Sequence, residues 1–208
     1  MNRQGHWNQA YRTNGAQEVS WYQRRPDLSL TLIAASGVAK DAGIIDAGGG
    51  ASTLVDFLLD EGYTRLAVLD VSPIALAHAR SRLGARAETV QWFEADVTSF
   101  VPPHRFGLWH DRAVFHFLTD KADREKYADA LRRTLAPGGQ AIIATFAMDG
   151  PCKCSGLRTV RYDAPSILAE LGPGLRLVGQ VDETHLTPGG SEQEFSYFRF
   201  SRTAAGAV

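Results

Sequence analysis

Cysteine is nearly missing from this 208-residue sequence: it occurs twice, as Cys152 and Cys154. Two thiols separated by one residue are not a disulfide framework, and a reducing, cytoplasmic setting is the expectation. Long apolar runs are missing too. None approaches the roughly 18 residues of a membrane span, and the stretch from Met1 to Trp7 has no apolar centre that would read as a secretory signal. Neither sign of charge dominates. A formal net charge of -1 excludes a general attraction to nucleic acid or an anionic membrane. The arginines at Arg80, Arg82 and Arg86, and at Arg132 and Arg133, fall on predicted helix faces and read as solvated surface. There is no internal repeat. The small-residue tail Thr203–Val208 is expected to fray.

What the sequence does have is an alternation of apolar strands and amphipathic helices, the pattern of an α/β fold with a parallel sheet covered on both faces. Predicted strands are Ile44–Asp46, Leu66–Asp70, Thr89–Phe93, Phe106–His110 and Gln140–Phe146. Predicted helices are Asp27 to Gly37, Ser52–Glu61, Pro73–Leu83, Asp120–Leu135 and Ala164–Leu171. Ser72 caps the third of these, with Pro73 just inside its start and Gly84 just past its end. The ending differs. Leu175–Leu186 and Glu194–Phe200 both read as strands, joined by Thr187 to Gly190 with no room for a helix, so they should pair as an antiparallel hairpin.

Residues 44–52 place a strand end, a glycine turn (Gly48, Gly49, Gly50) and a helix start within nine positions. Glycine admits positive φ and close approach of a ligand to the backbone, and a helix start offers free N–H groups. Alone, such a turn could be only a tight strand-to-helix connection. Two carboxylates add to it. Asp70 ends the second strand, where an acid can accept both hydroxyl hydrogens of a ribose. Asp96 follows the third strand, where an acid can accept from an adenine amino group. In a sheet of this kind the three strand ends bearing Asp46, Asp70 and Asp96 share one crevice.

On these residues the chain resembles the class I S-adenosylmethionine (SAM)-dependent methyltransferases over nearly its full length. Asp46-Ala47-Gly48-Gly49-Gly50 matches that family's D/E-x-G-x-G motif. Asp70 and Asp96 match its ribose and adenine acids. Leu135-Ala136-Pro137-Gly138-Gly139 matches its L-x-P-G-G. Ser52 stands where a third glycine would be, as in some branches of the family, and that position weighs against NAD.

The resemblance implies a Rossmann-like three-layer sandwich with a mostly parallel seven-stranded sheet ending in the hairpin. The expected division is a single domain, with 1–37 as an N-terminal lid, 38–202 as the core and 203–208 as the tail. It implies SAM as cofactor, held by Asp46, Gly48, Gly49, Gly50, Asp70, Val71, Asp96 and Val97, with His110 and Trp21 as further contacts. The segment after the fourth strand, Asp111-Arg112-Ala113, resembles the D-R-G or D-K-G of thiopurine-type and some lysine methyltransferases, with Ala113 in place of glycine. Asp111, Arg112 and His116 are therefore the expected catalytic group, orienting or deprotonating the acceptor, and His110 is a second candidate base.

The expected acceptor is a small molecule: a thiol, another soft nucleophile or an amine. A protein lysine is the alternative, and a non-catalytic SAM-binding module is the rival from another class. The D/N-P-P-Y of DNA amino methyltransferases is absent, so no nucleic-acid partner is expected. Neither is a membrane; the chain would act as a monomer or homodimer. The six-residue spacing of His104, His110 and His116 does not suit a zinc site, so no metal is expected. Cys152 and Cys154 read either as incidental loop thiols or as a contact to substrate or soft metal. The aromatic start (His6, Trp7, Tyr11, Trp21, Tyr22) fits either a helix packed on the sheet edge or a lid over the cofactor, where aromatic faces suit a sulfonium charge.

Overall fold

A computed structural model describes residues 2–203; of the expected tail, all but Thr203 lies outside the described residues. Seven strands form one sheet: β1 (Ile44–Ala47), β2 (Leu66–Asp70), β3 (Val90–Glu94), β4 (Phe106–Arg112), β5 (Leu135–Phe146), β8 (Leu175–Leu186) and β9 (Glu192–Arg202), in the order β3-β2-β1-β4-β5-β9-β8. The first five are parallel. β9 runs antiparallel to β5 and to β8, as the absence of a connecting helix requires. This is the Rossmann-like arrangement with a terminal hairpin.

Strand alternation distributes the side chains between two cores. Ile44, Leu66, Val68, Leu108 and Ile142 pack against α2 (Asp27–Ala35), α3 (Leu54–Asp60) and α4 (Pro73–Leu83). Ile45, Ala67, Leu69, Trp109 and Ile143 pack against α5 (Lys121–Thr134) and α6 (Ala164–Leu171). Each fully buried Leu, Ile or Phe is worth about 1.5–3 kcal/mol. The cap read from the sequence is present: the Ser72 hydroxyl accepts the Ala75 N–H at 3.2 Å. Asp163, not read as a cap, forms a reciprocal one with Ser166 at the start of α6.

Several details add to or differ from the sequence reading. β4 extends to Arg112 because Arg112 still pairs with Ala144 of β5. β5 is entered at Leu135, opposite Phe106, but Ala136 to Gly139 have no partner on either side and the continuous ladder starts at Gln140, opposite Leu108. Residues 3–13 form a helix, α1 (Arg3–Thr13), capped by the Asn2 side chain. The cysteine segment is a miniature hairpin of β6 (Lys153–Cys154) and β7 (Leu157–Arg158). The N-terminal segment also divides. α2 buries Leu30 and Ile33 in the core, so the part covering the sheet edge ends near Pro26.

One buried polar cluster ties β4 to α5. The Trp109 indole N–H donates to the Tyr127 hydroxyl at 3.0 Å, and that hydroxyl donates to Asp111 at 2.5 Å. Tyr127→Phe strands an indole donor in the core and removes one donor from Asp111. It should lower unfolding free energy by about 1–3 kcal/mol in urea titration; a loss under about 0.5 kcal/mol, the usual size of a surface change, would show that the cluster adds no stability.

Candidate active site

The connections leaving β1 and β4 diverge, since β2 lies to one side of β1 and β5 to the other side of β4. Crevices outside such strand ends are where α/β sheets bind ligands. Here the ends of β1 to β5 border a cleft of about 920 Å³, its open mouth included. Gly48, Asp70, Val71, Asp96, Val97, Arg112 and His116 all line it.

The glycine loop is shaped by its neighbours. Gly48 has φ 74°, and a Cβ there would lie 1.9 Å from Cγ2 of Val114. Gly50 has φ 41°, and its Cβ would lie 2.7 Å from Oδ2 of Asp70. The bare backbone therefore sits against both Val114 and the Asp70 carboxylate, a cradle that a side chain would fill. Ser52 serves the adjoining helix: its hydroxyl accepts the Leu54 N–H at 3.1 Å. That accounts for serine at the third glycine position.

Asp70 accepts the Ser72 N–H at 2.7 Å and lies at the floor of the cleft. Burial pushes its carboxyl up to about 7, and the charge of Asp46 adds to the shift. Asp96 is also half-buried. Burial would raise its carboxyl, but Arg3 at 2.8 Å and the Thr98 hydroxyl and N–H outweigh burial and hold it below the usual range. One lone pair on its Oδ2 remains open to a ligand. Asp46 and His110 face away from this cleft into a smaller hollow under the glycine loop, shared with Gly48, Gly49 and Trp21. His110 Nδ1 bonds Asp46 at 2.7 Å and Nε2 bonds Ser29 at 2.9 Å. Both ring nitrogens are engaged, so the ring has none free to take a proton from a substrate.

The N-terminal aromatics roof the cleft. Arg3, Trp7 and Tyr11 are four residues apart on α1 and all line it. Arg3 bridges Asp96 and Asp123; Asn8 accepts from the Ser72 hydroxyl at 2.7 Å. Trp21 donates to Tyr11 at 3.2 Å and packs edge-on against Trp7, which also meets Phe117. The spacing of Arg3, Trp7 and Tyr11 was the available signal for this helix. A scan for apolar stripes passes over it because one member is charged.

The three expected catalytic residues separate. Asp111 points to the opposite face of the sheet from Arg112, as alternation requires, and does not line the cleft. Its oxygens accept from the N–H groups of Val114 and Phe115 and from Tyr127, which shapes the turn after β4. Arg112 is nearly buried and donates to the Tyr197 hydroxyl (2.8 Å), the Trp21 carbonyl (3.0 Å) and Glu183 (3.4 Å). His116 is fully buried in the cleft wall, and burial together with the charge of Arg112 pushes its imidazole down to about 3. Cys154, for which a substrate contact was one of two readings, lines the cleft from the β6–β7 hairpin; burial raises its thiol. Cys152 is exposed. Among the described residues no cluster of His, Cys, Asp or Glu could hold a metal ion, and no helix is long and apolar enough to cross a membrane.

A family model described as a methyltransferase domain matches residues 44–139, which include the glycine loop, Asp70, Asp96 and the turn after β4. Residues 44–139 thus carry a methyltransferase domain, and the chain resembles the class I SAM-dependent methyltransferases. Solved structures with the same fold include the N-methyltransferase NodS from Bradyrhizobium japonicum WM9, in complex with S-adenosylhomocysteine. It has 20% identity and a TM-score of 0.72, with 94% of this chain and 97% of that one covered. A second is the 1,6-didemethyltoxoflavin-N1-methyltransferase of Burkholderia thailandensis, with its substrate and S-adenosylhomocysteine bound. It has 19% identity and a TM-score of 0.69, with 96% and 84% covered. A third comes from work on the conversion of a disulfide bond into a thioacetal group during echinomycin biosynthesis, with 18% identity, a TM-score of 0.78, and 98% and 93% covered. No curated protein matches this sequence.

The residues present fit the cofactor: a bare-backbone loop, a carboxylate on the cleft floor beside it, and a second acid with a lone pair to spare. Gly48→Val adds left-handed strain of about 1–2 kcal/mol and displaces Val114. It should weaken S-adenosylhomocysteine binding at least about tenfold by calorimetry, and parent-like affinity would contradict the fit.

The pH dependence has a definite sign. A carboxyl raised to about 7 is charged only above that pH, and the charged form accepts from a diol. S-adenosylhomocysteine affinity should therefore be full near pH 8 and fall as pH drops through 7. The same group opposes folding as pH rises, since its folded value exceeds its unfolded one. Asp70→Asn should melt higher than the parent at pH 8 and level with it at pH 4, with its affinity lost; a flat affinity profile from pH 5 to 8 would disprove the assignment.

Proposed function

We propose that the protein transfers the methyl group of SAM to a small-molecule acceptor: a thiol, another soft nucleophile or an amine. The observation that carries this reading is the roof. α1, Trp21 and the β6–β7 hairpin close over the strand ends, leaving a cleft walled by Trp7, Trp21, Phe117, Phe146 and Phe195. NodS and the didemethyltoxoflavin enzyme are named as N-methyltransferases, which keeps an amine nitrogen among the acceptors.

In this reading Asp70 accepts from the ribose hydroxyls. Val71 and Val97 flank the adenine and Asp96 accepts from its amino group. The backbone at Gly48–Gly50 lies against the methionine part, with Asp46 and His110 beneath. Bound there, the cofactor supplies a methyl group already activated by a sulfonium. The chain's task is then placement and exclusion of water rather than covalent chemistry. The Trp7 and Trp21 rings offer faces that stabilise a cation. Arg112 acts by positioning, since it holds the Trp21 backbone. Asp111 acts by shaping the turn that carries Val114 to His116.

The test is to incubate the enzyme with a lysate and SAM carrying a deuterated methyl group, then separate small molecules from protein before mass spectrometry. The label should appear in the small-molecule fraction. Label confined to protein lysines would overturn the small-acceptor reading.

A further inference from the structure

β4 ends at Arg112, whereas β5 continues to Phe146. The last ladder bond between them is from Ala113 to Ala144. The Phe146 N–H on that side therefore has no strand to pair with, and it donates to Nδ1 of His116 at 3.2 Å. An N–H can donate only to a lone pair, so Nδ1 is unprotonated and the proton of the neutral ring sits on Nε2. Burial and the nearby Arg112 charge keep the ring neutral. Nε2 itself is buried in the cleft wall with no partner. A buried donor without a partner is rare in folded proteins and calls for a missing one.

The surroundings of that donor are flat and apolar. The His116 ring lies 4.4 Å from Phe146 at 33° and 4.4 Å from Phe117 at 82°. Phe195 continues the wall 4.8 Å from Phe146. The nearest cation, Arg112, is answered by Glu183. Gln193 presents the one other unpartnered buried polar atom on the cleft wall among the described residues, Oε1.

We propose that His116 selects the acceptor as a hydrogen-bond donor and not as a base. The cleft takes an uncharged, flat aromatic or heteroaromatic molecule whose carbonyl oxygen or unprotonated ring nitrogen accepts from Nε2–H. Such a molecule packs against the partly exposed rings of Trp7 and Phe117 that line the cleft, satisfies the orphan donor and brings no charge that the wall would have to desolvate. The inference rests on reading this cleft as the acceptor pocket.

Two measurements test it on the full chain saturated with S-adenosylhomocysteine, whose own binding is measured first and reports separately on the cofactor reading. Nitrogen-15 histidine spectra should show His116 as the Nε2–H tautomer, without titration from pH 5 to 9. An Nδ1–H tautomer, or protonation within that range, overturns the proposal. Matched probes that differ only in the acceptor atom are then titrated: quinoline against naphthalene, and 1-indanone against indane. The acceptor-bearing member should bind about five- to tenfold more tightly, the size of one net hydrogen bond, and should shift the His116 Nε2–H resonance. His116→Gln, which keeps an amide donor, should retain the preference, and His116→Phe should abolish it with cofactor affinity unchanged. Equal binding within pairs, a preference that survives in His116→Phe, or no binding of any probe to the S-adenosylhomocysteine complex would refute the proposal. Should His116→Phe fail to fold, the parent and His116→Gln comparisons still decide it.

Discussion

A single buried guanidinium holds the working parts of this molecule together. Arg112 stands at the end of β4 and is bonded at once to Trp21 in the roof, Glu183 on β8 and Tyr197 on β9, with Phe195 4.4 Å beneath its plane. Burying a charge is costly unless it is paired and its hydrogen bonds are met. Glu183 supplies the countercharge, and the planar fork of arginine reaches three partners in three directions. The terminal hairpin is thus more than an extra layer of sheet. It carries the residues that neutralise Arg112 and so allow the roof to be fastened to the catalytic edge.

Much of the fold was legible because it depends on local signals. Apolar runs, the Ser72-Pro73 start and the Gly84 stop place α4, and the lack of a helix between the last two strands determines their antiparallel pairing. That the ends of the second and third strands border one cleft was legible for a related reason: strand ends lie together in such sheets, and Asp70 and Asp96 line the cleft they share. The acceptor half was not legible as a group. Grouping Asp111, Arg112 and His116 treated neighbours in sequence as neighbours in space, whereas β4 alternates and sends Asp111 to the α5 face. The tautomer of His116 depends on Phe146, 30 residues away and set by where one strand outlasts another. Cys154 reaches the wall only because a six-residue segment folds into a hairpin, and nothing in its composition announces one.

The roof follows a different physical logic from the sheet. α1 buries Tyr11 and packs Trp7 against Trp21 and Phe117, with no other apolar anchor among the described residues. Its remaining ties are polar and peripheral: Arg3 to two carboxylates, Gln4 to Glu94, Asn8 to Ser72. Partly exposed ion pairs each contribute little and are weakened by salt. Elements held this way open at lower free energy than the core.

Ala113 links the two halves. It is one of two non-glycine residues with positive φ among those described, at 72°, and it stands where the related motif has glycine. Its neighbours point to different tasks. Arg112 grips the backbone of Trp21, and Val114 presses on Gly48. Gly48 and Trp21 are thereby coupled through two consecutive peptide units whose torsions are not free to relax independently. Substitutions at these two positions should be energetically non-additive, and sequence drift at one would narrow what the other can tolerate.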